Sequence, residues 1–576
     1  MDTTSDKLFC CRWLRNKLPL VHRDELYHII RMTGPLLLSR ILIYLLPFVV
    51  TMFCGRLGNS VMAGYGLASA AINVSTAATG CGLGLACDTL ISQTFGGKNL
   101  LRVGGILQRG IIILLLFCLP CWALLINAQA ILLCMGQDPE VARIAQLYIM
   151  AFLPAVPAMF LHQLQVSYLQ NQGIILPQFY TAVLANIANV LTNYVFLHWL
   201  NLGVSGSAAA NTLSQIYICI FLFAYIRWKK LHEATWGGWS ADSLQEWGSY
   251  MRLAVPSTMM TCFEWWVYEF GGFFAGMLGE DELAAQHVVI MIAFITYMFP
   301  LGIQAAACAR VGNALGAGDT ARAILTSKLS LGLAGAFAVA EGIVLGSSKT
   351  VLGFLFTSDE KIIELVSNLM NAYCFLQFFD GLVCVCTGIF LGTGKQKIPA
   401  VANFIGYYCI GLTLSVVFMF VVKLRVLGFW LGLLVCVVLQ STFYIVVIFK
   451  LNWKQMTEEA VKRAKKGAQF ALLDTENLSE NSADQKWVDD HRLHERSTGT
   501  NGGPADQHHR GGRLTTTQLV VRRGILIFAA VCLLAVGVGV RLLVPLPVTS
   551  SKHNSTLDLF NTTQTPVLLT PTVLAQ

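Results

Sequence analysis

The chain has 576 residues, of which 55% are hydrophobic and only 12% are charged. A soluble globular domain carries about 25% charged residues, so this composition excludes a water-soluble protein and indicates one that lies in a lipid bilayer. The net charge of +8 does not indicate a nucleic-acid partner, because the basic residues lie in tails and loops where a membrane protein normally carries them.

Thirteen apolar stretches of about 20 residues follow one another, and each is long enough to cross a hydrocarbon core of about 30 Å. The first 34 residues carry six basic side chains and lack an apolar core, which predicts a cytosolic N-terminus and no cleavable signal peptide. In that orientation the loops of the twelve-span core carry twelve Lys and Arg residues on the cytosolic side and six on the outer side. This bias agrees with the positive-inside rule. The predicted spans are residues 35–54, 62–83, 104–126, 144–164, 178–198, 207–226, 253–275, 286–307, 325–346, 364–391, 400–421, 428–449 and 524–544.

An internal repeat divides the first twelve spans into two halves. Four pairs of landmarks share an offset of 220 to 222 residues: Gly34-Pro35-Leu36 with Val255-Pro256-Ser257, 91–97 with 311–317, Asp138-Pro139-Glu140 with Ser358-Asp359-Glu360, and 169–177 with 391–399. Because each half has an even number of spans, both enter the membrane from the same side, as parallel repeats with a cavity between them near the midplane. The predicted fold is therefore an all-α polytopic membrane protein with two pseudo-symmetric six-helix bundles and a C-terminal thirteenth helix.

The domain organisation follows from these spans and from the polar segments between them. Arg522 and Arg523 anchor the last span at the cytosolic side, and an odd number of spans places the C-terminal tail outside. The glycosylation sequons at Asn554 and Asn561 are compatible with that placement. The predicted segments are a cytosolic N-terminal segment (1–33), a first lobe (34–227), a cytosolic inter-lobe linker (228–252), a second lobe (253–450), a cytosolic, largely disordered linker with an amphipathic start (451–521), the thirteenth span (522–546) and an extracellular tail (547–576).

Ionisable side chains inside spans are costly and rare, so each is a candidate for function. For Asp88 we predict a role in fixing the inner loop near Arg102, and for Glu341 a structural or lipid-edge role. An alternative for the remaining acids is a structural salt bridge with Arg40. The candidates are Arg40, Glu264, Glu269, Glu341 and Asp380 within the predicted spans and Asp88 at the cytosolic end of the second span.

Residues 264–269 form the densest cluster, with two carboxylates among three aromatic side chains. On a helix Glu264 shares a face with Tyr268, and Trp265 shares one with Glu269, so the two carboxylates need not face the same cavity. A carboxylate beside aromatic rings suits an organic cation. Removal from water favours the protonated form of a carboxyl group, so a proton and a cation that compete for one such group become coupled. For the aromatic residues alone, packing or interfacial anchoring is the alternative.

Four motifs, residues 87–93, 264–266, 310–316 and 392–396, resemble those of the multidrug and toxin extrusion family. The resemblance extends over about residues 25–455, and the last helix, from Gln518, resembles the vertebrate branch. It implies a plasma-membrane, multi-pass protein that works as a monomer and exports organic cations and amphiphilic drugs in exchange for protons, by alternating access of two lobes. The coupling residues that it implies are Glu264, Glu269 and Asp380, and it implies an inhibitor-sensitive cysteine at Cys54. The substrate-cavity positions that it implies are Asn73, Trp265, Tyr268 and Tyr297, and Arg40 falls in the same cavity.

Three positions depart from the vertebrate pattern. Arg40 stands where Gln is usual, Ile290 replaces a Tyr, and Met291 replaces a third acid of span eight. One acid fewer and one base more weaken the attraction of the cavity for cations, so the substrate range stays open. The alternatives are a lipid or glycolipid translocase on the same fold and coupling to sodium. We expect no enzyme, cofactor or metal site, because the sequence offers no nucleophile, metal-ligand cluster or phosphate-binding loop, and the proton gradient is the expected driving force.

Overall fold

The computed structural model describes residues 19–356, 359–465 and 516–546, and the regular elements within these ranges are helices. Eleven of them are long and apolar enough to cross a membrane, and a bent helix pair makes a twelfth. Trp247–Leu278, with 32 residues, is also long enough to cross a membrane, and it carries the acidic cluster. The predicted fold class, two six-helix bundles and a thirteenth helix, is confirmed.

The first lobe consists of α1 (Leu20–Leu57), α2 (Ser60–Gly96), α3 (Leu100–Ile126), α4 (Pro139–Phe152 and Ala155–Gln170), α5 (Leu176–Trp199) and α6 (Gly203–Trp228). The second lobe consists of α7 (Trp247–Leu278), α8 (Glu280–Gly316), α9 (Thr320–Leu352), α10 (Glu360–Thr393), α11 (Lys397–Val421) and α12 (Val426–Lys450). A polar-faced helix, 453–465, follows, and α13 spans Thr516–Leu543. The glycosylation sequons lie outside the described residues, as does most of the linker predicted over 451–521.

Helix α4 differs from the single span predicted over residues 144–164. The Asp138 side chain accepts hydrogen bonds from the main-chain N–H groups of Glu140 (2.9 Å) and Val141 (3.1 Å), and this cap starts the helix. The chain then bends by 57° between Phe152 and Ala155. Pro154 lies in this break, and a proline cannot donate the hydrogen bond that would continue the helix.

The two lobes meet at the face of the membrane where α1 begins, which we call the N-terminal face. Here Thr89 Oγ1 donates to the carbonyl oxygen of Leu391 (2.7 Å), and Gln93 Nε2 donates to that of Gly392 (2.9 Å). A side chain on Gly96 would meet the main chain of Asn313. We call this inter-lobe contact the seam. It is closed so tightly that the backbones of α2 and α8 touch.

Helix α1 begins fifteen residues before the predicted span, at Leu20. Its first turns are polar, but they lie against the second lobe and not in lipid. Glu25, only 4% exposed, accepts hydrogen bonds from Arg310 Nε (2.5 Å) and Nη2 (2.6 Å), from Arg322 Nε (3.1 Å) and from Thr326 Oγ1 (2.7 Å). These charge-assisted bonds extend the seam across the start of α1.

Helix α13 packs on the outer side of α3. Gly537 lies against Ala123, and the Asn127 side chain donates to the carbonyl oxygen of Gly537 (2.8 Å). At the N-terminal face, the Arg523 guanidinium donates to the carbonyl oxygen of Leu244 (2.9 Å) and lies 4.1 Å from the centre of the Trp247 ring. The helix is therefore anchored at both ends, although its sides are exposed.

The close approach at Gly537 leads to a testable prediction. A Cβ atom there would lie 2.8 Å from Cα of Ala123, so Gly537→Leu should force α13 away from α3. We expect cross-linking by a short bifunctional thiol reagent between cysteines placed at Gln129 and Arg541, whose side chains lie 3.3 Å apart one helical turn from the contact, to fall by about fivefold in the Leu variant. Gly524→Leu is the matched control, because Gly524 has open space around it. Equal cross-linking in both variants would contradict the packing of α13 on α3.

Candidate functional site

Two carboxylates of the second lobe lie near each other at mid-depth. Glu264 on α7 accepts a hydrogen bond from the Tyr297 hydroxyl of α8, with 2.5 Å between the oxygens. Asp380 on α10 is 7% exposed, and it lies close enough to Glu264 for the two charges to interact. Helices α8 and α10 approach closely because Gly388 lies against the main chain of Gln304. The structure therefore brings together two of the three predicted coupling acids and one predicted cavity tyrosine.

An aromatic wall stands beside these carboxylates. The Tyr268 and Trp430 rings lie 6.5 Å apart, and Tyr373 meets Trp430 edge-on at 5.6 Å. Trp430 Nε1 donates to Gln286 Oε1 (2.7 Å), so the indole is held in one orientation. Trp430 is fully buried and Tyr268 is half-buried, so the indole supports the Tyr268 ring, and the Tyr268 ring is the surface that an organic cation can meet.

Sequence reasoning missed Tyr407, which lies on a π-helical segment, Phe404–Leu412, of α11. Its side chain is fully buried, and both Glu264 and Asp380 act on it electrostatically. The Tyr407 hydroxyl has no hydrogen-bond partner among the described residues. A buried hydroxyl without a protein partner needs a water or a ligand to complete its hydrogen bonding. Only the π-helical register could have indicated it, and this register is not visible in the sequence.

The faces of α7 follow the predicted helical periodicity. Glu264 and Tyr268 are half-buried on one side, while Trp265, 41% exposed, and Glu269 share the other. Glu269 is therefore not brought to the Glu264 side. Between these faces, Trp266 Nε1 donates to the carbonyl oxygen of Val74 (3.1 Å) and links the two lobes.

The predicted cavity residues of the first lobe are more scattered. Asn73 is exposed and begins the π-helical turn Asn73–Ala77 of α2, beside the contact made by Trp266. Arg40 is half-buried on α1, and within the described ranges it takes part in no ion pair, so the alternative salt bridge with an acid is not formed. Cys54 is fully buried, 3.1 Å from the Tyr148 hydroxyl oxygen. A reagent can reach Cys54 only if its packing opens.

Two further acids have separate surroundings. Asp88 accepts hydrogen bonds from Ser167 and from Asn171 Nδ2 (2.6 Å), at the loop that follows α4. Arg102, which we predicted to lie near Asp88, pairs instead with Glu246 (3.1 Å). Asp88 thus anchors an inner loop, but a different one from the loop that carries Arg102. Glu341 is half-buried on α9, and one of its carboxylate oxygens has no partner among the described residues.

The seam could not be predicted from the sequence, because its partners are far apart in the chain. Arg310 lies beyond the span predicted over residues 286–307, but the structure places it in the last turns of α8, where it binds Glu25. Gln93 is fully buried between the lobes, where it also accepts a hydrogen bond from Arg463 Nη1 (3.1 Å) of helix 453–465. The small residues of the motifs 91–97 and 311–317 were a signal, since such residues permit close contact between helices.

Two related helical bundles, with carboxylates at mid-depth and a closed seam at one face, define a two-lobed membrane transporter. The chain belongs to the multidrug and toxin extrusion family: the MatE family model matches residues 35–195 and 256–417, once in each lobe. The two matches begin 221 residues apart, which is the offset of the sequence repeat.

Known relatives cover nearly the whole chain. It is 48% identical to multidrug and toxin extrusion protein 1 of Danio rerio, over 93% of this chain and 94% of the relative. It is 44% identical to the Homo sapiens protein of that name, over 90% of this chain and 94% of the relative. The crystal structure of the eukaryotic MATE transporter AtDTX14 covers 77% of this chain and 100% of its own, with a TM-score of 0.74 and 26% identity.

Proposed function

We propose that this transporter exchanges protons for organic cations, and that Glu264 and Asp380 carry both ions in turn. The observation that supports this proposal is the pair of interacting carboxylates at mid-depth, one bound to Tyr297 and both bordered by an aromatic wall. Two carboxylates within electrostatic range of each other favour holding at least one positive charge, either a proton or a cation. We assign no enzymatic activity to the site and take the protein to work as a monomer.

The exchange cycle follows from competition for one group. When the site faces the cytosol, a cation binds the ionised carboxylate, and the proton leaves to that side. When the site faces the other side, a proton binds the carboxyl oxygen and releases the cation. One positive charge moves in each direction, and each pH unit supports about tenfold accumulation of a monovalent cation.

The closed seam supports alternating access in this cycle. Inter-lobe contacts occupy the N-terminal face and reach mid-depth, where Trp266 meets Val74 and Tyr44 meets Met291. We take this state as the one in which the N-terminal, cytosolic face is shut. Opening requires the seam to separate, in the plasma membrane, before a cytosolic cation can enter.

The proposal is tested in proteoliposomes that contain the purified full-length chain, with radiolabelled tetraethylammonium as the probe. A proton gradient, acidic inside, is expected to drive uptake, with the membrane potential clamped to zero. A sodium gradient at equal pH is expected to drive none. Lipid translocation, followed with a fluorescent phospholipid, is expected to equal that of protein-free vesicles.

Each arm of this experiment can contradict the proposal. Uptake that follows the sodium gradient alone would replace proton coupling by sodium coupling. Phospholipid movement without movement of tetraethylammonium would favour a lipid translocase. If tetraethylammonium only equilibrates across the membrane, and neither gradient changes its uptake, secondary active transport of this probe would be excluded.

A further inference from the structure

An arginine at membrane depth normally pairs with an acid, because an isolated charge there is costly. Arg40, on α1, has no hydrogen-bond or ion-pair partner among the described residues, and its side chain is only half-buried. Its guanidinium nitrogens are not among the buried unsatisfied atoms, so they remain accessible. An accessible, unpaired guanidinium within a span can receive an anionic group.

The contacts between α1 and α8 give the depth of Arg40. Tyr44 contacts Met291 (3.9 Å from hydroxyl oxygen to sulfur), while a side chain on Gly302 would lie 3.4 Å from the Thr33 carbonyl oxygen. The two helices run in opposite directions, so residues between these contacts pair in reverse order. Interpolation places Arg40 level with Ile295, since both helices rise about 1.5 Å per residue. Arg40 therefore lies within about 3 Å, along the helix axis, of the level of Tyr297, which donates to Glu264.

The neighbours of Arg40 in the first lobe do not neutralise it. Its charge acts on Asp88, on His162 and on Cys81. Asp88 already accepts hydrogen bonds from Ser167 and Asn171, and it forms no ion pair with Arg40. Cys81, on α2, is within electrostatic range of both Arg40 and Glu264. At about one depth, the first lobe therefore carries the positive charge of Arg40 and the second lobe carries the carboxylates.

We propose that Arg40 is a specificity-determining residue that binds the carboxylate of zwitterionic cargo, while Glu264 and Asp380 bind its cationic end. This inference rests on the proposed function and adds a substrate class to it. A guanidinium presents a planar set of N–H donors that matches both oxygens of a carboxylate. A purely cationic cargo meets repulsion from Arg40, whereas a zwitterion finds a partner for each of its charges.

Two probes of nearly equal size separate these classes. Tetraethylammonium carries one positive charge, and (carboxymethyl)triethylammonium replaces one of its ethyl groups by a carboxymethyl group. In Arg40→Gln we expect kcat/KM for the zwitterion to fall by about tenfold or more, because a charge-assisted hydrogen bond is lost. We expect kcat/KM for tetraethylammonium to rise severalfold, because the repulsion is removed. Arg40→Lys should keep a preference for the zwitterion, at a lower level than Arg40 because the paired donors are lost.

Arg252→Gln is the matched control, because Arg252 is exposed at the start of α7. It removes the same charge and should leave the ratio of the two probes unchanged. An unchanged ratio in a folded Arg40→Gln protein that still moves tetraethylammonium would overturn the inference and leave proton-coupled export intact. If Arg40→Gln fails to fold, a wild-type preference of more than tenfold for tetraethylammonium over the zwitterion also overturns it. Absence of proton-driven transport of either probe by the wild type would instead overturn the proposed function.

Discussion

Glu264→Gln is expected to lower proton-driven transport of tetraethylammonium by about 100-fold or more, because it removes one of the two interacting carboxylates for which the proton and the cation compete. Gln keeps the size of the side chain and can still accept the hydrogen bond from the Tyr297 hydroxyl, which spans 2.5 Å in the native site. It cannot release a proton, so the residual transport should no longer respond to the pH gradient. Initial rates at several imposed gradients measure both effects.

The other acids of the second lobe provide the comparison. Asp380→Asn should have an effect of similar size, because Asp380 is buried beside Glu264. Glu341→Gln is the matched control, since it removes a half-buried acid of the same lobe and should change the rate by less than about threefold. Gradient-dependent transport in a folded Glu264→Gln protein would move the coupling site elsewhere in the chain.

Gly96→Val is expected to prevent closure of the seam and to abolish transport. A Cβ atom on Gly96 would meet the main chain of Asn313, with its carbonyl carbon 2.7 Å away. Main-chain atoms cannot turn aside as a side chain can, so the lobes must separate at the N-terminal face. A transporter that cannot close one face cannot complete alternating access, and we expect turnover to fall by about 100-fold.

The position of the seam can be followed with a cysteine at Ser92, which is fully buried between the lobes. Labelling of Ser92→Cys by a membrane-impermeant thiol reagent, measured by mass spectrometry of its peptide, should be slow alone and fast when combined with Gly96→Val. Gly105→Val is the control, because no atom lies near a side chain added there. Slow labelling together with normal transport in the Gly96→Val protein would show that the seam does not open and close as proposed.

The coupling acids were found from the sequence because a charge in lipid is rare, and this rarity is a local property. Glu264 and Asp380 were identified in that way, whereas Tyr297 was added only by resemblance to the family. Their proximity could not be read from the chain, since it depends on how α7, α8 and α10 pack. Helical periodicity predicted that Glu269 and Glu264 lie on different faces of α7, and the structure agrees. The sequence therefore described the arrangement within one helix but not the packing between helices.

Local hydropathy and the repeat of about 220 residues determined the number of spans, the two lobes and the all-α class, because transfer of an apolar segment into lipid depends on that segment alone. Tertiary structure alone decided the bend at Pro154, the early start of α1 and the seam. Glu25 and Arg310 are 285 residues apart, and each lies outside the apolar stretches of the sequence, as residues of polar loops do. Their burial is favourable only when the other lobe supplies the opposite charge, and no local pattern encodes that pairing.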